Sequence, residues 1–325
     1  MKRLLYPFWN NQERRVRALW RIILQGGLMI AGIALLTALS MAMVSLLFKP
    51  QNPREFLNAG TLDVFSSLVT LSAILLSLWL ASRVLDRHPM ADFGFHFSRQ
   101  WWRDFLFGLG LGAILMGGIF AVELAAGWIS VRGTLETVQP GQPFVLAIIS
   151  PILIFLCVGI YEECLSRGYW LHNLSEGLNF SFLGPKVAIL LAWGISSSIF
   201  GAAHLGNPNT SAISTVNLIV AGLFLGLGYI LTGELAIPIG LHISWNFFQG
   251  NVFGFPVSGT GTRGGTFIAI QQGGPELWTG GAFGPEAGLV GLATIAVGSA
   301  AILWWVHRHH GRLGLSNKLA RPPAR

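Results

Sequence analysis

Residues 144–170 read FVLAIISPILIFLCVGIYEECLSRGYW. From Phe144 to Ile160 the run is apolar and close to the length that a helix needs to cross a hydrocarbon layer, about 20 residues. Then, without a break in helical pattern, it meets Glu162, Glu163 and Arg167. An apolar rod ending in ionisable groups is the reading from which the rest of the chain follows. Similar apolar runs occur at about 22–48, 62–82, 104–131, 186–205, 212–232, 235–254 and 285–306. Together they predict an all-α fold: a polytopic transmembrane helical bundle of about eight transmembrane helices.

Composition agrees. Of 325 residues 52% are hydrophobic and only 11% charged, against about 25% charged in an average soluble domain; mean hydropathy is +0.59. A water-exposed surface cannot be covered with so few charges. A cytosolic enzyme, a disordered chain and a secreted disulfide scaffold are excluded. Cys157 and Cys164 are the two cysteines. They lie on one face of one helix and are not expected to bond. The net charge of +7 would suggest nucleic acid in a soluble protein, but here the cations flank apolar spans, which points to lipid headgroups and no nucleic-acid partner.

An even number of spans puts both termini on one side. Of the 21 lysines and arginines, all but Lys49, Arg54, Arg132 and Arg263 fall on that side, so the expected topology is N-in/C-in. The expected organisation is a basic cytoplasmic segment at 1–21, N-terminal transmembrane helices at 22–143 and a catalytic core at 144–254. A glycine-rich external loop at 255–284 and a last span with a basic cytoplasmic tail at 285–325 complete it. In that loop Gly259, Gly261 and Gly264 satisfy GxGxxG, but with no strand leading in, a flexible or Ω-type loop is expected and not a nucleotide site. Arg14, Arg15 and Arg17 suggest an interfacial helix. Glu123, in the third span, calls for a buried structural partner. His307-Arg308-His309-His310 reads as a cytoplasmic anchor in preference to a metal site.

Each ionisable group near the bilayer centre costs on the order of 2.5–3.5 kcal/mol on insertion scales, and such groups concentrate in spans four, five and seven. Glu163 and Arg167 are i,i+4 and can pair; Glu162, about 100° round the helix, is left available as a general base. His242 and Asn246, also i,i+4, put an imidazole and a carboxamide on one stripe, where both can donate to an oxyanion. His204, from a third helix, can orient water, share a proton or ligate a metal. With perpendicular spans, however, Glu162 lies near one end of its helix while His204 lies about 27 Å from Lys186, towards the far end of the next. Convergence requires one helix to be displaced by about two turns.

At these positions the sequence resembles the CPBP family of intramembrane proteases (CAAX protease and bacteriocin-processing, also called Abi), whose motifs EExxxR, FxxxH and HxxxN/D occur in order as Glu162-Glu163-Cys164-Leu165-Ser166-Arg167, Phe200-Gly201-Ala202-Ala203-His204 and His242-Ile243-Ser244-Trp245-Asn246. The resemblance implies an α-helical membrane endopeptidase in which Glu162 activates water with help from His204, while His242 and Asn246 stabilise the oxyanion. Glu163 and Arg167 would support them electrostatically, and Phe200 would fix the rotamer of His204. It implies the lipid bilayer and a membrane-associated protein or peptide substrate as partners. Two chemistries satisfy the set: a metal-free glutamate mechanism, which is favoured, and a divalent metal such as zinc on Glu162, His204 and His242. Outside the resemblance, intramembrane Glu, His and Asn also suit an ion-coupled membrane transporter, and the same fold suits a catalytically silent immunity or scaffold protein.

Overall fold

A computed structural model describes residues 7–48, 59–311 and 313–322. Lys2, Arg3, Lys49, Arg54, Arg312 and Arg325, used above for orientation, lie outside the described residues. Helix α1 spans Ala18–Phe48 and α2 spans Ala59–Ala81, continued by a π-helical turn Ser82–Asp86. Helix α3 is Arg99–Ala125. Helix α4 is one continuous run Phe144–Gly177 whose middle, Cys164–Leu171, is π-helical. Then come α5, Gly184–Ala203; α6, Ala212–Thr232; α7, Ala236–Phe247 with a π-helical end Phe248–Val252; and α8, Leu289–His310.

All eight expected spans are therefore helical, and among the described residues seven helices are long and apolar enough to cross a membrane. The protein is a polytopic, multi-pass integral membrane bundle. The remaining helix, α7, is short but buried all round, with Ala236, Ile237, Ile239 and Leu241 at most 3% exposed; a helix apolar on every face belongs inside a bundle. By contrast Leu19, Ile30, Leu35, Leu39 and Leu46 of α1 are exposed, a surface suited to lipid and not to water.

The helix ends follow from local chemistry. Ser98 caps α3 by accepting from the Trp101 N–H at 3.1 Å, and Ser211 and Ser214 form a reciprocal capping box on α6. Gly233 closes α6 in the left-handed region at φ 76°, which glycine adopts without strain. Small residues set the tightest crossing: Gly108 and Gly112 of α3 lie against Gly240 and Ser244 of α7. A methyl at Gly108 would meet the Ile237 carbonyl, and one at Gly240 the Phe105 carbonyl.

Three expectations are corrected. The third span ends at Ala125, and Ile129–Thr137 is a strand, β3, pairing antiparallel with β4, Gly265–Gln272, from Ile129 opposite Gln272 to Thr137 opposite Gly265. The glycine-rich segment is thus ordered: its residues 265–272 form an edge-paired ribbon, and Val257 bridges Thr260 in a tight turn. Its backbone bonds are satisfied by a sequence-distant partner, which no local pattern reveals. The arginines before α1 do not form an interfacial helix. Residues 9–16 fold as a small antiparallel hairpin of β1, Trp9–Asn10, and β2, Arg15–Val16, with Trp9 opposite Val16, and Arg15 is buried, donating to Glu176 at 2.9 Å and to the Asp86 carbonyl at 2.9 Å. Glu123 is fully buried, yet both its carboxylate oxygens lack a hydrogen-bond partner among the described residues. In the histidine run His310 Nε2 lies 3.0 Å from Asp104 Oδ2, and the His309 ring lies 3.9 Å from that of Trp305, tilted by 32°.

Candidate active site

Helix α4 does not stop at Ser166, because its charges are neutralised internally and Tyr169, Trp170 and Leu171 extend its apolar pattern. It continues about three turns to Gly177. At 1.5 Å per residue Glu162 then stands roughly 22 Å above the Gly177 end, and His204 about 30 Å above Gly184 at the start of α5. The remaining offset is within ordinary tilt. The displaced helix that convergence requires is α4, lengthened at its C-terminal end.

Glu162, His204, His242 and Asn246, contributed by α4, the C-terminal cap of α5 and α7, line one cavity of about 510 Å³. The Glu162 side chain is 24% exposed and that of Glu163 fully buried. The two carboxylates of the pair therefore differ in access. Glu163 Oε1 accepts from Arg167 Nη1 at 2.9 Å and from His242 Nδ1 at 2.7 Å. Arg167 also donates to Ser166 Oγ at 2.8 Å and to the Gly222 carbonyl of α6 at 2.9 Å, and Ser166 in turn donates to the Glu162 carbonyl. Such a buried charge is tolerable because Glu163 Oε1 is paired with Arg167 and His242, while Oε2 has no hydrogen-bond partner among the described residues.

This network fixes the imidazole of His242. An ionised carboxylate only accepts, so Nδ1 carries a proton and Nε2 faces Glu162 Oε2 across 3.8 Å. That separation is too long for a direct hydrogen bond and suits a bridging water. His204 is oriented in the same manner by its own helix: Nδ1 donates to the Phe200 carbonyl at 2.8 Å, leaving Nε2 free. Phe200 does more than fix His204. Its ring lies 4.9 Å from that of His204 and 6.2 Å from that of His242, and the Arg167 guanidinium carbon sits 4.4 Å above it, a cation–π contact that joins the first two motifs.

All six residues singled out by sequence are thus assembled: four on the cavity wall and Glu163 with Arg167 directly behind them. Sequence spacing gave the Glu163–Arg167 pair but not the Glu163–His242 bond, which joins α4 to α7. It also missed Glu286, another cavity-lining acid, placed there by a helical turn Pro285–Ala287 ahead of α8. Glu286 accepts from Ser258 N at 2.6 Å and from Gln249 Nε2. Burial pushes its carboxyl up to about 7 against the pull of these donors. Its signal in the sequence is slight, a single acid in GPEAGLV.

The metal alternative needs Glu162, His204 and His242 gathered as a ligand set. Among the described residues the His, Cys, Asp and Glu side chains gathered closely enough to share an ion lie elsewhere. His242 Nδ1 and His204 Nδ1 are engaged, as second-layer bonds would require, but Glu162, His204 and His242 are not among the groups whose ligand atoms lie within 4.8 Å of one another in the described residues.

No curated protein and no solved structure matches the chain significantly. Residues 144–248, which contain all three motifs, match the family model described as type II CAAX prenyl endopeptidase Rce1-like, a peptidase family. The matched region, residues 144–248 on α4 to α7 and about a third of the chain, is thus similar to the Rce1-like endopeptidases and consistent with the CPBP family.

Proposed function

We propose that the protein is an intramembrane endopeptidase that hydrolyses a peptide bond in a membrane-associated protein or peptide, with water activated by Glu162. The observation that carries this reading is the division of labour in the carboxylate pair: Glu163 is sealed between Arg167 and His242, while Glu162 faces a cavity and stands 3.8 Å from His242 Nε2. A water held at Glu162 gives up a proton to that carboxylate as its oxygen attacks the substrate carbonyl, and His204 Nε2 holds the water in line. The oxyanion so formed is met by Asn246 Nδ2 and by His242 Nε2. His242 can donate there when its imidazole carries both protons, the one on Nδ1 being held by Glu163. Glu162 then passes its proton to the leaving amine, and the amide is replaced by a free acid and a free amine.

The cavity also has an apolar side, with Met29 and Ile33 of α1 and Ile74 of α2. Those walls suit a substrate segment that arrives from the bilayer. The test compares peptide products, by mass spectrometry, in membranes containing wild type and Glu162→Gln. Products present with wild type and absent with the variant support the reading. Identical products would overturn it, and ion-driven uptake insensitive to the substitution would replace it by a carrier.

A further inference from the structure

We propose that His88, His172 and Glu176 form a binding site for one divalent transition-metal ion of the zinc class, a structural site separate from the peptidase cavity. His172 and Glu176 are one turn apart at the C-terminal end of α4, and His88 comes from the link that follows α2. One ligand atom from each lies within 4.8 Å of the others. His88 Nε2 is 2.8 Å and His172 Nε2 3.5 Å from Glu176 Oε1. Ligand atoms about 2.0–2.2 Å from a tetrahedral zinc stand about 3.3 Å apart, so small side-chain rotations admit the ion and leave a fourth position for water.

A second observation points the same way. His172 is 3% exposed, and among the described residues neither of its ring nitrogens has a hydrogen-bond partner, Nε2 standing 3.5 Å from Glu176 Oε1. Buried imidazoles are ordinarily satisfied, and an ion at this position would satisfy one of these nitrogens. The surroundings resemble the outer layer of a metal site. His88 Nδ1 is held by Asp92 Oδ2 at 2.8 Å, the carboxylate–histidine arrangement that fixes a ligand's tautomer. Glu176 Oε2 accepts from Arg15 and Arg21, each at 2.9 Å, which turns Oε1 towards the histidines. Arg15 and Arg21 are opposed by Glu13, Asp86 and Glu176, and Asp92 pairs with His88. Two imidazoles and one carboxylate favour zinc, cobalt or nickel over calcium or magnesium.

An ion here ties the N-terminal hairpin, the end of α2 and the end of α4 together, and it changes how chelation is interpreted: loss of activity on metal removal would not by itself place a metal at Glu162. The experiment uses the full chain in detergent, stripped with chelator, reloaded with zinc, desalted and assayed for bound zinc per chain, with cobalt absorption as a second readout. One ion per chain is expected for wild type and for Glu162→Gln, and at least a tenfold loss of affinity for His172→Gln. Asp92→Asn, which spares the ligands and the fold, should weaken zinc about 10–100-fold. Wild type without stoichiometric zinc overturns the proposal. So does zinc that follows Glu162 instead of His172, or affinity unmoved in the correctly folded Asp92→Asn chain.

Discussion

His242 Nδ1 lies 2.7 Å from Glu163 Oε1, across the contact between α7 and α4. The second carboxylate of the motif, not the first, therefore sets the orientation of the imidazole, and it does so while bound to Arg167 on the same oxygen. One buried carboxylate thereby joins the first motif to the third, and the stacking of Arg167 on Phe200 joins the first to the second. The three short motifs are one packed unit whose exposed edge is Glu162.

Glu162→Gln keeps the size and polarity of the cavity and removes only the proton acceptor. A positioned general base contributes typically 10²–10⁴-fold, so peptide cleavage should fall by about that factor while the thermal midpoint stays within about a degree of wild type. Turnover and midpoint measured on the same preparation check this. A variant that cuts at wild-type rate would remove Glu162 from the mechanism.

Arg167→Met behaves differently, because it strands the fully buried Glu163 carboxylate. Breaking a buried pair by removing one partner costs about 3–5 kcal/mol, and His242 would be reoriented at the same time. Both folded yield and cleavage should fall. Arg167→Met combined with Glu163→Leu should recover much of the stability without the activity, since the uncompensated charge is gone but the imidazole is no longer held. Recovery of both would mean that Glu163 serves packing alone.

The crossing of α3 and α7 gives a prediction about assembly. A side chain at Gly108 would be driven into the Ile237 carbonyl, and one at Gly240 into the Phe105 carbonyl; backbone atoms cannot move aside as a flexible side chain does. Gly240→Val should separate the helices and displace His242, with loss of monodisperse protein in size-exclusion chromatography. Gly110→Val, on the same helix as Gly108 but with open space at its α-carbon, should be tolerated.

Much of this molecule is legible in its sequence, and the limits have physical causes. Helix positions were readable because apolar length and polar interruption are local properties: α5 and α6 lie within two residues of where the hydropathy places them. The extent of α4 was not, because Glu162, Glu163 and Arg167 look like an interface when their partners His242 and Gly222, on other helices, are unknown. The β3–β4 ribbon was hidden for a related reason. Its halves are more than a hundred residues apart, and residues such as Gly133 and Gly265 have no strand signal until paired. Arg15, read as a lipid-facing cation, is buried by Glu176 from α4. Charge alone cannot tell an anchor from half of an ion pair.

Glu286 supplies a pH dependence whose sign can be worked out. Its carboxyl stays protonated in the folded protein up to about 7, against 4.5 for the ordinary group. Between these values the folded state holds a proton that the unfolded chain has released, so stability falls as pH rises through this window and levels off above it. The full difference is roughly 3 kcal/mol. Glu286→Gln cannot ionise, and the Gln249 amide, whose oxygen has no hydrogen-bond partner among the described residues, can turn to accept from it. Thermal midpoints at about pH 4.5, 6 and 8 should decline for wild type relative to the variant, with the gap widest at the highest pH. Parallel profiles would show that Glu286 is already ionised at the low end, held by Ser258 and Gln249 more strongly than burial opposes.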